Sequence, residues 1–192
     1  MELELLQKFI TPIHPLDKKE WEAFSAIWTP FACKRKTVLT ASGETEKHLY
    51  FVTEGVQRAF FIGNERQEAT IVFTYPLSFS GVADSFLTQT PTPYFFETLT
   101  ASKFIRTTYK QVEELMNEYP GIQKLILKTT AFALKGVLAR QAELQCFSAE
   151  EKFTTLLKRS PHLLQLIPHK YLASYVGIDP TTFSKLMGSV RL

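Results

Sequence analysis

Short apolar segments separated by glycines are the feature that most constrains how this chain folds. Between residues 30 and 109 these segments are rich in Val, Ile, Thr, Phe and Tyr. Residues 56–62 and 67–73 form the clearest pair, because the turn-type sequence Gly63-Asn64-Glu65-Arg66 joins them into a predicted hairpin. Closely spaced strands of this kind predict a β-barrel or β-sandwich. The separating glycines are Gly43, Gly55, Gly63 and Gly81.

Helical patterns flank this β-rich region. Residues 1–29 carry apolar side chains at helical spacing, and residues 121–147 contain two glycines and no proline. We interpret the second segment as a long helix whose apolar face forms a dimer seam. The same face could pack on the chain's own β-rich domain, and the two roles are compatible. The face comprises Ile122, Leu125, Ile126, Thr129, Phe132, Ala133, Gly136 and Val137.

The predicted organisation is therefore an α+β chain in three parts. Residues 1–120 form N-terminal helices and the β-rich domain, residues 121–147 the long helix, and residues 148–192 a set of short helices. No internal repeat is visible.

Positive charge is concentrated at the C-terminal end. The net charge of the whole chain is 22 − 19 = +3, but from Lys152 onwards six basic residues accompany a single acidic one, which gives 6 − 1 = +5. The first 151 residues therefore carry 3 − 5 = −2. This asymmetry indicates a polyanionic partner for the C-terminal segment, with a solvated basic surface as the alternative.

Residues 168–187 carry the pattern of a helix-turn-helix. The first helix is predicted over residues 168–176, and Gly177 follows where a helix ends with a left-handed residue. Asp179 suits the N-cap and Pro180 the first position of a second helix. Two short helices joined by a tight turn, with a polar and basic outer face, have the geometry that enters the major groove of DNA. A helical hairpin that docks on another protein is the alternative.

With these motifs the chain resembles the Crp–Fnr family of bacterial transcription regulators. Residues 167–186 are similar to that family's helix-turn-helix, and residues 42–44 and 48–58 to its first β-roll segments. Residues 91–99 resemble a variant common among Bacteroidetes members. The resemblance implies a double-stranded β-helix (jelly-roll-like) sensor of the cyclic-nucleotide-binding type and a long dimerisation helix. It further implies a winged-helix-like helix-turn-helix, here without a complete wing, and a homodimer that binds double-stranded DNA.

The resemblance also implies roles for particular side chains. Base-reading positions fall on Pro180, Thr181 and Lys185. Lys185 stands where arginine is usual, which keeps the charge but loses the bidentate geometry, so we expect an altered sequence preference. Contacts to DNA phosphates position the protein on the duplex but do not specify the base sequence. Such contacts are expected from His169, Lys170, Thr182 and Ser184. Ser189 completes the outward face of the second helix.

The sensor region lacks the chemistry that a cyclic nucleotide requires. A buried phosphodiester needs a cation or several donors, which the family supplies with an Arg-Ser or Arg-Thr pair. No Arg or Lys occurs between Arg66 and Lys103. We therefore expect no response to cyclic AMP, and either an unknown small-molecule effector or an unused pocket. Side chains that could line the pocket, or serve only in packing and at the surface, are Arg58, Asp84, Tyr94, Thr98, Lys128 and Thr129.

Other functional classes lack support in the sequence. The four histidines are scattered, so no metal site of the cupin type is expected, and neither a Gly-x-Ser-x-Gly motif nor a P-loop occurs. We expect no enzyme activity and no cofactor. The two cysteines exclude a disulfide framework and indicate a reducing, cytoplasmic compartment. The longest apolar runs are too short for a membrane span.

The sequence thus favours a DNA-binding transcription regulator controlled by a β-roll sensor. The alternative is a small-ligand-binding or protein-interaction module whose helix-turn-helix no longer binds DNA.

Overall fold

The chain divides into two compact units. In the computed structural model, which describes residues 1–65 and 67–189, the first unit comprises Met1–Ala59 and Phe73–Ala133. The second comprises Phe60–Val72 together with the chain from Leu134 onwards. The tip of the predicted hairpin therefore groups with the C-terminal helices. The three-part division at residues 120 and 147 stays a prediction.

Strands occupy the middle of the chain and helices both ends. The strands are β1 (Thr29–Cys33), β2 (Val38–Thr40), β3 (His48–Glu54), β4 (Gln57–Ile62), β5 (Glu68–Thr74), β6 (Ser78–Ser80), β7 (Phe95–Thr98) and β8 (Ser102–Thr108). The helices are α1 (Glu2–Ile10), α2 (Lys18–Ala26), α3 (Ala83–Thr88), α4 (Tyr109–Glu118), α5 (Pro120–Cys146), α6 (Ala149–Arg159), α7 (Leu163–Leu166), α8 (His169–Val176) and α9 (Pro180–Ser189).

The strands form two four-stranded sheets. The first has the order β1-β8-β3-β6, and all of its neighbouring pairs are antiparallel. The second has the order β2-β7-β4-β5. Strands β4 and β5 lie within one residue of the two hairpin strands that the sequence predicts, so that prediction is confirmed. Arg66, in the predicted turn, lies outside the described residues.

The first sheet is buried on both faces. Along β3, Tyr50 and Val52 pack in a cluster with Phe96 and Phe104. Phe51, between them, belongs to a second cluster that contains residues of α1, α2 and the start of α5. This alternation follows from the two-residue period of a strand, and it explains why β3 is apolar on both sides.

The apolar residues on the predicted face of the long helix α5 are buried near its start and exposed further along. Ile122, Leu125 and Ile126 are buried in the clusters of the first unit, so this part of the predicted dimer face packs on the chain's own β-rich domain. Val137, on the same predicted face, is exposed. A Cβ atom at Gly136 would meet nothing within 4 Å, so close packing within the chain does not explain this glycine.

Helices α6, α8 and α9 surround a small aromatic and aliphatic core in the second unit. Phe153, Leu172 and Phe183 are buried there. The rings of Phe153 and Phe183 meet edge to face, with centroids 5.1 Å apart and an interplanar angle of 81°. This core fixes α9 against α6 and α8. None of the helices that the structure describes is long and apolar enough to cross a membrane.

Candidate DNA-binding helices and sensor site

The turn between α8 and α9 has the predicted geometry. Gly177 adopts a left-handed conformation, with φ of +61°, and its amide donates to the carbonyl of Ser174 at 3.1 Å. The amide of Ile178 donates to the carbonyl of Ala173 at 3.1 Å. A Cβ atom at Gly177 would lie 3.0 Å from Leu144 Cδ2, so both the backbone conformation and the space favour glycine.

Asp179 caps α9 as predicted. Its Oδ1 atom accepts hydrogen bonds from the amides of Thr181 at 2.7 Å and Thr182 at 3.0 Å. The amides of Thr182 and Thr181 hold the pKa of Asp179 below its usual range. The cap satisfies two backbone donors at the helix start, while Pro180, which has none, begins the helix.

Most of the predicted DNA-binding side chains are exposed. Thr182 is half-buried, and the His169 ring lies 5.7 Å from the Phe183 ring between centroids. The Nζ atom of Lys170 lies 4.8 Å from the Tyr171 ring centroid. Exposed members of the set are His169, Lys170, Pro180, Thr181, Ser184, Lys185 and Ser189.

Two of these hydroxyls bond within their own helix. Ser184 Oγ donates to the carbonyl of Pro180 at 3.0 Å, and Ser189 Oγ to that of Lys185 at 3.1 Å. The outer face of α9 thus combines one exposed ammonium with several small polar groups. A helix face with one positive charge and small polar side chains is suited to a groove lined by phosphates.

Part of the C-terminal positive charge has an internal partner. The carboxylate of Glu143, on α5, is buried and accepts from Arg140 at 3.0 Å and from Arg159 of α6. Arg140 also donates to the carbonyl of Tyr175 and lies over its ring, with the guanidinium carbon 4.2 Å from the centroid. Arg159 of α6 therefore helps to hold α5, α6 and α8 together through Glu143 and Arg140. In the sequence, Arg159 counted toward the positive charge of the C-terminal segment.

The predicted sensor residue Arg58 is buried and ion-paired. Its Nε atom lies 2.7 Å from Glu97 Oε1, which joins β4 to β7. An arginine already held by a carboxylate is poorly placed to neutralise an anionic ligand.

Thr98 and Tyr94 have packing roles. The Thr98 hydroxyl donates to the carbonyl of Lys34 at 2.7 Å and accepts from the amide of Thr37 at 3.0 Å. Tyr94 is half-buried against the cluster that contains Tyr50. Whether either side chain also lines a ligand pocket stays a prediction.

The remaining predicted pocket residues differ in exposure. Asp84 is exposed in the first turn of α3. Lys128 is exposed on α5, with Nζ 3.4 Å from Nδ1 of His14. Thr129 is half-buried, and its hydroxyl oxygen is buried with no hydrogen-bond partner. Whether these side chains serve one pocket stays a prediction.

A buried carboxylate that sequence reasoning missed lies beside the loop before α3. Glu46 is 1% exposed. Its Oε2 atom accepts from Thr40 Oγ1 at 2.7 Å and from the amide of Val82 at 3.3 Å, and Oε1 accepts from the amide of His48 at 3.1 Å. Burial raises the pKa of Glu46, against the lowering effect of these hydrogen bonds. The loop predicted to face a ligand thus already contacts a buried carboxyl group of the chain itself.

Metal-binding chemistry is not assembled in the part of the chain that is described. Within residues 1–65 and 67–189, no three His, Cys, Asp or Glu side chains are grouped closely enough to hold a metal ion.

The β-rich domain matches a known family model. Residues 31–119, from β1 to the region of α4, match the family of cyclic nucleotide-binding domains. No curated protein matches the whole chain closely enough in sequence to count as a relative.

Solved structures of Crp/Fnr-type regulators share the fold. FixK2 from Bradyrhizobium japonicum superposes with a TM-score of 0.76 at 15% identity, covering 84% of this chain and 83% of that one. CLP from Xanthomonas campestris, a global regulator responsive to c-di-GMP, gives 0.67 at 16% identity and 90% coverage of both chains. A protein from Eubacterium rectale assigned to the Crp/Fnr family of transcriptional regulators gives 0.68 at 12% identity, covering 90% and 82%. The predicted α+β fold, with an N-terminal antiparallel β domain, a long helix and C-terminal helices, is confirmed.

Proposed function

We propose that the chain is a homodimeric transcription regulator, and not an enzyme, that binds double-stranded DNA through α8 and α9. The observation that carries the proposal is the capped helix pair itself. Gly177 and Asp179 fix the turn, Phe183 anchors α9, and the opposite face of α9 presents Thr181 and Lys185 to solvent. Duplex DNA as partner implies the cytoplasm as compartment. The similarity of residues 91–99 to Bacteroidetes members supports assignment to that subclass.

An apolar heptad pattern on α5 supports the homodimer. Leu127 and Leu134 are seven residues apart, as are Val137 and Leu144, and all four are exposed in the single chain. Together they follow the a and d positions of a coiled coil, with Gln141 at the a position that follows Leu134. Burial of these apolar side chains against a second copy of the helix would stabilise a dimer. This face shares Val137 with the one that the sequence pattern favoured and otherwise differs from it. The start of the favoured face is buried in the first unit.

The buried charges of the β-rich domain support an effector other than cyclic AMP. Arg58 is paired with Glu97, and the amide of Val82 is directed at Glu46. A phosphodiester would have to displace one of these carboxylates or be buried beside it, and both are costly. We propose an unidentified, less anionic small molecule or no effector at all.

Enrichment from a random duplex pool tests the regulator function. The full chain is expected to select sequences with two related half-sites, because a two-fold dimer places two copies of α9 in successive major grooves. Recovery of no preferred sequence, together with no retention of the pool, would contradict the proposal.

Calorimetry with cyclic AMP tests the sensor. No heat of binding is expected at micromolar protein. Saturable binding of cyclic AMP would contradict the proposed absence of a cyclic AMP response and would show that the Glu46 or Glu97 interaction opens.

A further inference from the structure

A buried carboxylate near the end of α5 joins two arginines from different helices. Glu143 accepts from Arg140 of α5 at 3.0 Å and from Arg159 of α6. The side chains of Arg140 and Glu143 are 11% and 9% exposed, so this pair lies largely out of water. Such a pair holds its partners in one geometry, because their separation leaves a buried charge without a counterion.

The same cluster contacts the last turn of α8. Arg140 donates to the carbonyl of Tyr175, and its guanidinium carbon lies 4.2 Å from the Tyr175 ring centroid. Arg159 interacts with the side chain of the same tyrosine. Carbonyls in the last turn of a helix lack a partner within that helix, so Arg140 supplies one from α5. The end of α8, where the turn to α9 begins, is therefore attached to α5.

Helix α5 also approaches the turn itself. A Cβ atom at Gly177 would lie 3.0 Å from Leu144 Cδ2. Leu144 is one of the heptad positions through which a second copy is proposed to pack, whereas Glu143 occupies position c, outside that face. The last turns of α5 therefore combine part of the proposed dimer face with the contacts that hold α8 and the turn.

We propose that Glu143, through Arg140 and Arg159, positions α8 and α9 on α5 and thereby sets the spacing of DNA half-sites that the dimer accepts. The inference rests on the proposed function, because it needs a homodimer that binds DNA through α9. A two-fold dimer reads half-sites about 34 Å apart in successive major grooves. Each inserted base pair moves a half-site by about 3.4 Å and rotates it about the duplex axis, so a fixed α9 matches one spacing.

Paired half-sites with different spacers test the proposal. The duplexes carry two enriched half-sites, separated by the selected spacer or by one that is a single base pair longer or shorter. The parent should prefer the selected spacer by about tenfold or more, because a displaced α9 loses base contacts. In Glu143→Gln, which removes the carboxylate charge, this preference should fall to about threefold or less. Affinity for a duplex with one half-site should stay within about twofold of the parent's, because no base contact is removed.

Arg140→Lys provides a milder variant. It retains a positive charge beside Glu143 but lacks the planar fork that lets one guanidinium bond both the carboxylate and the Tyr175 carbonyl. It should lose the spacer preference in the same way as Glu143→Gln. Glu114→Gln is the matched control, because Glu114 pairs with Lys110 on the exposed surface of α4. This control should keep the parent's preference.

The outcomes separate the positioning role from the DNA-binding function. Full spacer preference in either variant overturns the positioning role, and so does a parent that accepts all three spacers equally. If Glu143→Gln fails to bind a single half-site, the spacer preference of Arg140→Lys decides. Loss of single half-site binding in Arg140→Lys also overturns the role, because the cluster would then be needed to fold α8 and α9 rather than to place them.

Two results would count against the proposed function instead. If the parent binds no duplex, the assignment of α8 and α9 as DNA-binding helices fails. If the parent binds one half-site as tightly as a pair at every spacer, the proposed homodimer fails.

Discussion

Arg58 and Glu97 form an ion pair inside the β-rich domain, with side chains 2% and 13% exposed and Nε 2.7 Å from Oε1. Arg58→Met removes the positive charge at similar side-chain size and leaves Glu97 without this partner. We expect the free energy of unfolding in urea to fall by about 3 kcal/mol. Lys103→Met is the control, because it breaks a pair with Glu54 whose side chains are 61% and 60% exposed, and it should change little. Equal small losses in both variants would contradict the structural role of Arg58.

Glu46 is expected to make stability depend on pH. Burial raises the pKa of this carboxyl above its ordinary value of 4.5. Between that value and its folded-state pKa, the folded chain binds more protons than the unfolded chain. The contribution of Glu46 to stability is therefore greatest at low pH and is lost as pH rises through the folded-state pKa. Unfolding free energies measured across this window should fall less steeply with pH in Glu46→Gln. An identical slope in the parent and the variant would show that Glu46 titrates normally.

The exposed heptad face of α5 is expected to hold the dimer. Leu134 and Val137 are 56% and 60% exposed in the single chain, so the double change Leu134→Glu and Val137→Glu should not disturb the fold. It should convert the dimer to a monomer in sedimentation experiments, because charge is not tolerated at a and d positions. Phe132→Glu is a matched control, since Phe132 is equally apolar and exposed but lies on another face. Dissociation by Phe132→Glu alone would place the interface on the face that the sequence pattern indicated.

Lys185 is expected to contribute to sequence selection. Lys185→Ala should weaken binding to an enriched duplex by about tenfold or more, and binding to a random duplex by less. Lys124→Ala, an exposed lysine of α5 outside the candidate set, should change neither. Competition titrations with both duplexes measure the two affinities. Equal losses on both would show that Lys185 contacts only the phosphate backbone.

Local signals in the sequence were enough for most of the fold. The hairpin of β4 and β5, the turn at Gly177 and the cap at Asp179 all depend on neighbours within a few residues, so their sequence patterns carry the information. The apolar period of α5 was also visible, but the pattern could not say which partner each apolar residue has. Ile122 proved to be a core residue of the first unit, whereas Val137 is exposed.

Contacts between distant residues were not predictable in the same way. Glu46 resembles any loop glutamate in the sequence, and its burial depends on Val82 being brought next to it by the fold. The opposite charges of Arg140 and Glu143, three residues apart, were a readable signal for an ion pair on one helix face. Their link to Arg159 and to α8 required the packing of three helices.

The salt dependence of duplex binding tests the central claim most directly. Fluorescence anisotropy of the full chain with a labelled duplex should give an affinity that falls steeply with salt. Lys170 in each protomer of a dimer is a predicted phosphate contact, which predicts a slope of log K against log salt of about −2 or steeper. No measurable affinity for any duplex at low salt, or an affinity that is independent of salt, would contradict the assignment of α8 and α9 as DNA-binding helices.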